Sequence, residues 1–216
     1  MVRKLKFDVY FITDSNFGWT HEQLAEMALK AGVRVIQFRE KKMSTKQMFE
    51  IAKKLRKLTE DYDAILIIND HVDLALAVGA DGVHVGQEDL PAEAVKEIFD
   101  GIVGVSAHTV EEAKKAERYA DYLGAGPVFA TKTKKDAKEP IGIEGLRKIV
   151  QAVDIPVVAI GSINRDNVLE VLKTGVAGVA VISAIAGAEN PEEEAKKLLE
   201  IVRNYFSSFD SSSASS

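Results

Sequence analysis

Three basic side chains, Arg39, Lys41 and Lys134, and two carboxylates, Asp70 and Asp89, carry the clearest chemistry in this 216-residue chain. An arginine supported by lysines suits an anion with several charges, because a guanidinium forms paired hydrogen bonds to phosphate oxygens. Two single aspartates suit Mg²⁺, which keeps several of its waters and is completed by phosphate. Together the two sets describe a metal-bound diphosphate, and neutralising a diphosphate makes it a better leaving group. Gln37, Arg39 and Lys41 stand at alternate positions of VIQFREK, residues 35–41. On a strand they share one face, and Ile36 and Phe38 share the other. The net charge is −5, so an anion needs a local basic pocket rather than a basic surface, and non-specific nucleic-acid binding is disfavoured.

These residues need elements to bring them together. Short apolar runs at 8–14, 35–40, 64–70, 82–87, 102–108, 122–129, 156–163 and 178–185 read as strands, with helical patterns between them. Met48, Ile51, Ala52, Leu55 and Leu58 follow helical spacing, and Thr20, Ser44 and Thr109 fit helix N-caps. Eight strands alternating with helices is the count of a single (β/α)8 TIM barrel; a doubly wound sheet is the competitor, but the number, shortness and even spacing of the strands favour the barrel. Such barrels build their sites at the C-terminal strand ends. Read alone, those ends carry Gln37, Arg39 and Lys41; Asn69 and Asp70; Asp89; Ser106; Thr131, Thr133 and Lys134; Gly161; and Ser183. The strand starts are mostly apolar. A second anion site is expected where IGSIN, 160–164, opens onto a helix beginning near Asn164 and where ISA, 182–184, ends the last strand.

Each residue also has a plainer reading. Arg39 and Lys41 could pair with Glu40 and Glu88 at a solvated rim, and Asp70 and Asp89 could cap the next helices. Gln37 and Asn69 could satisfy nearby backbone, and Ser106, Ser183, Thr131 and Thr133 could be structural. His21, His71, His84 and His108 form no triad or ligand set and read as structural. Joint occurrence at one barrel end favours the site. The chain has no cysteine, which removes disulfides, thiolate metal sites and cysteine nucleophiles. No signal-peptide pattern or membrane-length apolar run is seen, so a cytoplasmic protein is expected. Residues 1–206 read as one catalytic domain and the Ser-rich 207–216 as a disordered tail. Composition and pattern leave the oligomeric state open.

ITD, QFREK, IINDHVDLALAVGADGVHVGQEDLP, GVSAHT, GAGPVFATKTK, VAIGSIN and GVAVISAI, in that order, resemble the thiamine-phosphate synthase family over residues 8–185. The resemblance implies a Mg²⁺-assisted transferase of thiamine biosynthesis. It joins a hydroxymethylpyrimidine diphosphate to a (carboxy)thiazole phosphate through a dissociated pyrimidinylmethyl cation. By position, the resemblance puts Gln37, Arg39, Lys41, Asn69, Ser106 and Lys134 on the pyrimidine diphosphate. Asp70 and Asp89 fall to the metal, Thr131 and Thr133 between the substrates, and Gly161, Ile182 and Ser183 to the thiazole phosphate. Arg39, Lys41, Ser106 and Lys134 are the expected catalytic residues. The family usually has a second glycine where this chain has Ser162. The related thiazole tautomerases carry a histidine at the place of Pro127 and a cysteine near Thr133, so GPVF and TKTK favour the synthase. A barrel that binds a phosphate ligand without catalysis is the remaining alternative, and retention of both aspartates argues against it.

Overall fold

The computed structural model describes residues 7–130 and 138–213, with side chains up to residue 208. Its strands are β1 (Phe7–Thr13), β2 (Val35–Phe38), β3 (Ile65–Asn69), β4 (Gly82–Val85), β5 (Ile102–Ala107), β6 (Tyr122–Ala125), β7 (Val157–Ile160) and β8 (Gly178–Val181). All pair in parallel, each with its sequence neighbours, and β8 closes on β1. The helices are α1 (His21–Ala31), α2 (Thr45–Asp61), α3 (Val72–Val78), α4 (Ala92–Ile98), α5 (Val110–Ala116), α6 (Gly142–Ala152), α7 (Val168–Leu172), α8 (Ser183–Ala186) and α9 (Pro191–Ser213). This is the expected (β/α)8 barrel. Thr20 and Ser44 form capping boxes with Gln23 and Gln47, and Thr109 accepts from the Glu112 N–H.

Strand alternation divides the core in two. Ile36, Phe38, Leu66, Ile68, Val83 and Val85 point outward into the larger core beneath the helices. Phe7, Tyr10, Ile12, Val35, Ile67 and Tyr122 fill the barrel interior. The interior is filled by aromatics, with Phe7 and Tyr122 ring centroids 4.8 Å apart. Burying each such ring stabilises the fold by roughly 1.5–3 kcal/mol. Gly104 makes room for this cluster, because a Cβ there would overlap the Tyr122 ring.

Three sequence expectations shift. The strands end earlier than the apolar runs, so β2 stops at Phe38, and Arg39 and Lys41 leave the sheet on a loop. The cause is Glu40, whose carboxylate accepts the Lys41 and Lys42 backbone N–H groups at 2.7 and 2.6 Å and turns the chain. The helix expected near Asn164 begins at Val168, because Asn164 and Asn167 side chains hold residues 164–167 in a turn. At the C-terminus α9 continues past residue 206 to Ser213, through residues expected to be disordered. That run has no Gly or Pro to stop it, and its hydroxyls can bond the preceding turn, as Ser208 does to the Tyr205 carbonyl at 2.6 Å. No helix among the described residues is long and apolar enough to cross a membrane.

Candidate active site

The inward positions of β2 to β5 become polar toward their C-terminal ends: Gln37, Asn69, His84 and Ser106. Register sets Gln37 beside Ile67, and Asn69 beside His84. Gln37, Asn69, His84 and Ser106 line a small cavity of about 30 Å³ inside the barrel, floored by Tyr10 and Tyr122. A cavity of about 250 Å³ opens beside it, lined by Gly161, Ile182 and Ser183 and also by Ser106. Ser106 is therefore a shared wall, with Gln37 and Asn69 on the smaller cavity and Gly161, Ile182 and Ser183 on the larger.

The charged residues form the rim. Arg39 Nη1 donates to Asp14 Oδ2 at 3.2 Å, and the Asp14 side chain is only 3 % exposed. Asp14 directly follows β1 and also accepts the Asn16 N–H at 2.9 Å, so its position is set independently of the arginine. Lys41 Nζ pairs with Asp70. Neither cation pairs with Glu40 or Glu88, and neither aspartate caps a helix. Position 71, not Asp70, is the N-cap of α3, and Pro91 that of α4. Asp89 Oδ2 instead accepts the Gly86 N–H at 2.7 Å.

Asp70 sits under strain. Its φ of 63° lies in the left-handed region that Asp and Asn tolerate better than most residues. Burial pushes its carboxyl pKa up; Lys41 opposes this, and the neighbouring Asp89 carboxylate adds to it. A carboxylate whose charge is disfavoured by burial and by a second carboxylate beside it is the electrostatic signature of a site that wants a cation. The donor set fits Mg²⁺: two hard oxygens from the protein, leaving positions for water and phosphate.

Behind the rim lies a buried network that residue spacing alone did not reveal. Glu40, 7 % exposed, accepts from Ser15 Oγ at 3.0 Å and meets His21 Nε2 at 3.1 Å, besides the two backbone N–H groups. Burial disfavours its charge, but His21, the Lys42 N–H, Ser15 and the Lys41 N–H outweigh burial and hold its pKa at about 2. His21 Nδ1 contacts Thr13 Oγ1 at 2.7 Å, which ties α1 to β1.

At the larger cavity Gly161 has φ 117°, and a Cβ would lie 2.6 Å from Pro127 Cα and Val128 N, so only glycine fits. Ser162 takes φ 49°, a conformation glycine adopts more freely. Its Oγ donates to the Ala130 carbonyl at 2.6 Å, and its own carbonyl accepts from Asn167 Nδ2 at 3.0 Å. These bonds offset the strain of a serine at this position. Glu112, half-buried at the wall of the same cavity, is held below the usual carboxylate range. Burial opposes this, and the His108 N–H at 2.6 Å and Lys138 at 3.1 Å more than offset it. Thr131, Thr133 and Lys134 lie outside the described residues.

Residues 9–185 match the family described as thiamine monophosphate synthase. A thiamine-phosphate synthase from Archaeoglobus fulgidus is 70% identical over 197 residues, covering 91% of this chain and 94% of the relative. One from Pyrococcus furiosus is 54% identical over 199 residues, covering 91% and 95%. The solved thiamine phosphate pyrophosphorylase from Pyrococcus furiosus superposes with a TM-score of 0.86 at 50% identity, covering 92% of this chain and 96% of that one. With the family model, the relatives and the solved barrel in agreement over nearly its whole length, the chain belongs to the thiamine monophosphate synthase family, enzymes of thiamine biosynthesis.

Proposed function

We propose that the protein is a transferase that joins a hydroxymethylpyrimidine diphosphate to a thiazole phosphate, releasing diphosphate and forming thiamine phosphate with Mg²⁺ bound by Asp70 and Asp89. The observation that carries this reading is the Asp70–Asp89 pair, short of positive charge, beside Lys41 and Arg39 at one barrel mouth. When bound, the metal supplies charge neutralisation to the departing diphosphate. The protein's own residues do the remaining work. Arg39, fixed by Asp14, and Lys41 receive the diphosphate oxygens. Gln37 and Asn69 orient the pyrimidine from inside the barrel. Ser106 contacts it where the two cavities meet, and Gly161, Ile182 and Ser183 hold the thiazole phosphate in the larger one. Thr131, Thr133 and Lys134 join this set by position in the sequence.

The carbon–oxygen bond breaks with its electrons going to the diphosphate, and the thiazole nitrogen then supplies the pair for the new carbon–nitrogen bond. Such a course asks the enzyme for positioning and charge stabilisation rather than a strong base, which suits residues of these types. Both substrates are phosphorylated small molecules, and the reading places the protein in the cytoplasm.

The test is direct. Purified protein given both substrates and Mg²⁺ forms thiamine phosphate and diphosphate, and excess EDTA abolishes the reaction. Full activity in EDTA overturns the metal assignment. Conversion of a thiazole isomer with no requirement for the pyrimidine diphosphate overturns the transferase.

A further inference from the structure

A single chain of hydrogen bonds crosses the barrel interior. Gln37 Nε2 donates to Tyr10 Oη at 2.7 Å, Tyr10 Oη meets Tyr122 Oη at 2.8 Å, Tyr122 Oη meets His84 Nδ1 at 2.9 Å, and His84 Nε2 meets Ser106 Oγ at 2.9 Å. Tyr10 is 1 % exposed and Tyr122 fully buried, so bulk water is kept from their hydroxyls. Burial pushes both phenol pKa values up, and both hydroxyls keep their protons.

Proton counting gives the chain a direction. Tyr10 Oη receives the Gln37 proton, and among the described residues its hydroxyl has one further partner, so its own proton goes to Tyr122. Tyr122 Oη has then received one proton and must pass its own to His84 Nδ1. An imidazole that accepts at Nδ1 carries its proton on Nε2 and donates it to Ser106 Oγ. Ser106 Oγ, having accepted, keeps its proton for a group in the cavities it lines. With Gln37 Nε2 as the donor, reversing either tyrosine bond would leave a buried hydroxyl proton without an acceptor among the described residues, which is costly.

We propose that His84 is a positioning residue, locked by Tyr122, Tyr10 and Gln37 in the Nε2–H tautomer, and that this lock presents the Ser106 hydroxyl to the substrate as a donor. The inference rests on the reading of Ser106 as a substrate-contacting residue. It adds that the donor's direction is decided four side chains away, at Gln37 on β2. The rings assist the geometry, with the His84 imidazole 5.5 Å from the Tyr122 ring centroid. Gly104 and Gly124 leave room for the two rings: a Cβ on Gly104 would overlap Tyr122, and one on Gly124 would lie 3.0 Å from His84 Cε1.

The experiment combines a tautomer measurement with kinetics on the full-length protein. Long-range ¹H–¹⁵N correlation spectra of ¹⁵N-histidine-labelled protein, with His84 assigned through His84→Gln, show a protonated Nε2 and an unprotonated, hydrogen-bonded Nδ1. Tyr10→Phe removes the proton that Tyr122 receives and leaves Ser106 untouched. It mixes the His84 tautomers and lowers kcat by about 3–10-fold, while KM for the pyrimidine diphosphate stays within about twofold. Tyr122→Phe does the same more strongly; should it fail to fold, Tyr10→Phe and the wild-type spectrum still decide. An Nδ1–H tautomer in the wild-type protein overturns the proposal, as does Tyr10→Phe with unchanged kcat. Full activity in Ser106→Ala overturns the substrate role of Ser106 and this proposal with it, whereas the spectrum tests the direction of the chain independently of that role.

Discussion

Asp70→Asn yields a protein that unfolds at a higher temperature than the wild type in the absence of metal at pH 7, yet turns over at least about 100-fold more slowly. The two effects have one origin. Burial and the Asp89 carboxylate raise the Asp70 pKa despite Lys41, so the folded state holds that proton more tightly than the unfolded chain does. For a raised pKa the favourable contribution is fully present below the unfolded value of 3.8 and is lost as pH rises through the folded one. At pH 7 the metal-free wild type therefore carries an unfavourable charge that asparagine lacks. Asparagine also tolerates the φ of 63°, where alanine would add strain, and its amide can donate toward Asp89 as the protonated acid would. Lys41 loses its partner, but its side chain is 52 % exposed and such pairs contribute little.

The same substitution removes one of the two carboxylates proposed to hold the metal, and turnover is expected to fall with it. Mg²⁺ at 100 times its dissociation constant should stabilise the wild type by about 2.7 kcal/mol and the variant far less. Thermal unfolding with and without Mg²⁺, beside a diphosphate-release assay, measures both sides. A variant with a lower metal-free midpoint, or with wild-type turnover, sinks the assignment of Asp70.

The barrel was legible in the sequence because period and count are properties of the chain itself. VIQF alternates, and Gln37 does face inward while Ile36 and Phe38 pack under the helices. What strand periodicity could not give was where a strand stops. Extending the alternation through Arg39 and Lys41 placed them on the sheet, whereas Glu40 takes two backbone N–H groups and ends it. The partners of the cations were missed for a related reason. Asp14 lies 25 residues from Arg39, and Asp70 lies 29 from Lys41, so parallel pairing of β2 with β1 and with β3 brings them together and sequence proximity does not. The four histidines read as structural. For His84 a signal was present: it shares parity with Gly82 on β4, and an inward polar residue near a strand's C-terminal end follows the same rule that found Gln37 and Ser106. Tyr10 and Tyr122 read as core, and they are core; their hydroxyls matter only because the interior brings them together.

Glu40→Gln loses about 2–3 kcal/mol of stability at pH 7, and its stability changes less with acid than that of the wild type. Glu40 has a depressed pKa, so its contribution is present above the unfolded value of 4.5 and is lost as pH falls toward about 2. Glutamine retains one carbonyl where four donors converge, and its amide brings N–H groups toward Ser15, His21 and the Lys41 and Lys42 amides. At least one buried donor is left unpaired, which is the costly case. Urea unfolding at pH 7, 5 and 3 separates this from a simple loss of packing. The gap between wild type and variant should narrow below pH 4.5, and a constant gap would show that the carboxylate's charge is irrelevant. The consequence for catalysis runs through the backbone, because Glu40 fixes the turn that carries Arg39 on one side and Lys41 on the other. Loosening that turn misplaces both cations while leaving their charges intact, so kcat should fall by about tenfold. Restoring net charge elsewhere on the surface should not recover it, since what has been lost is position.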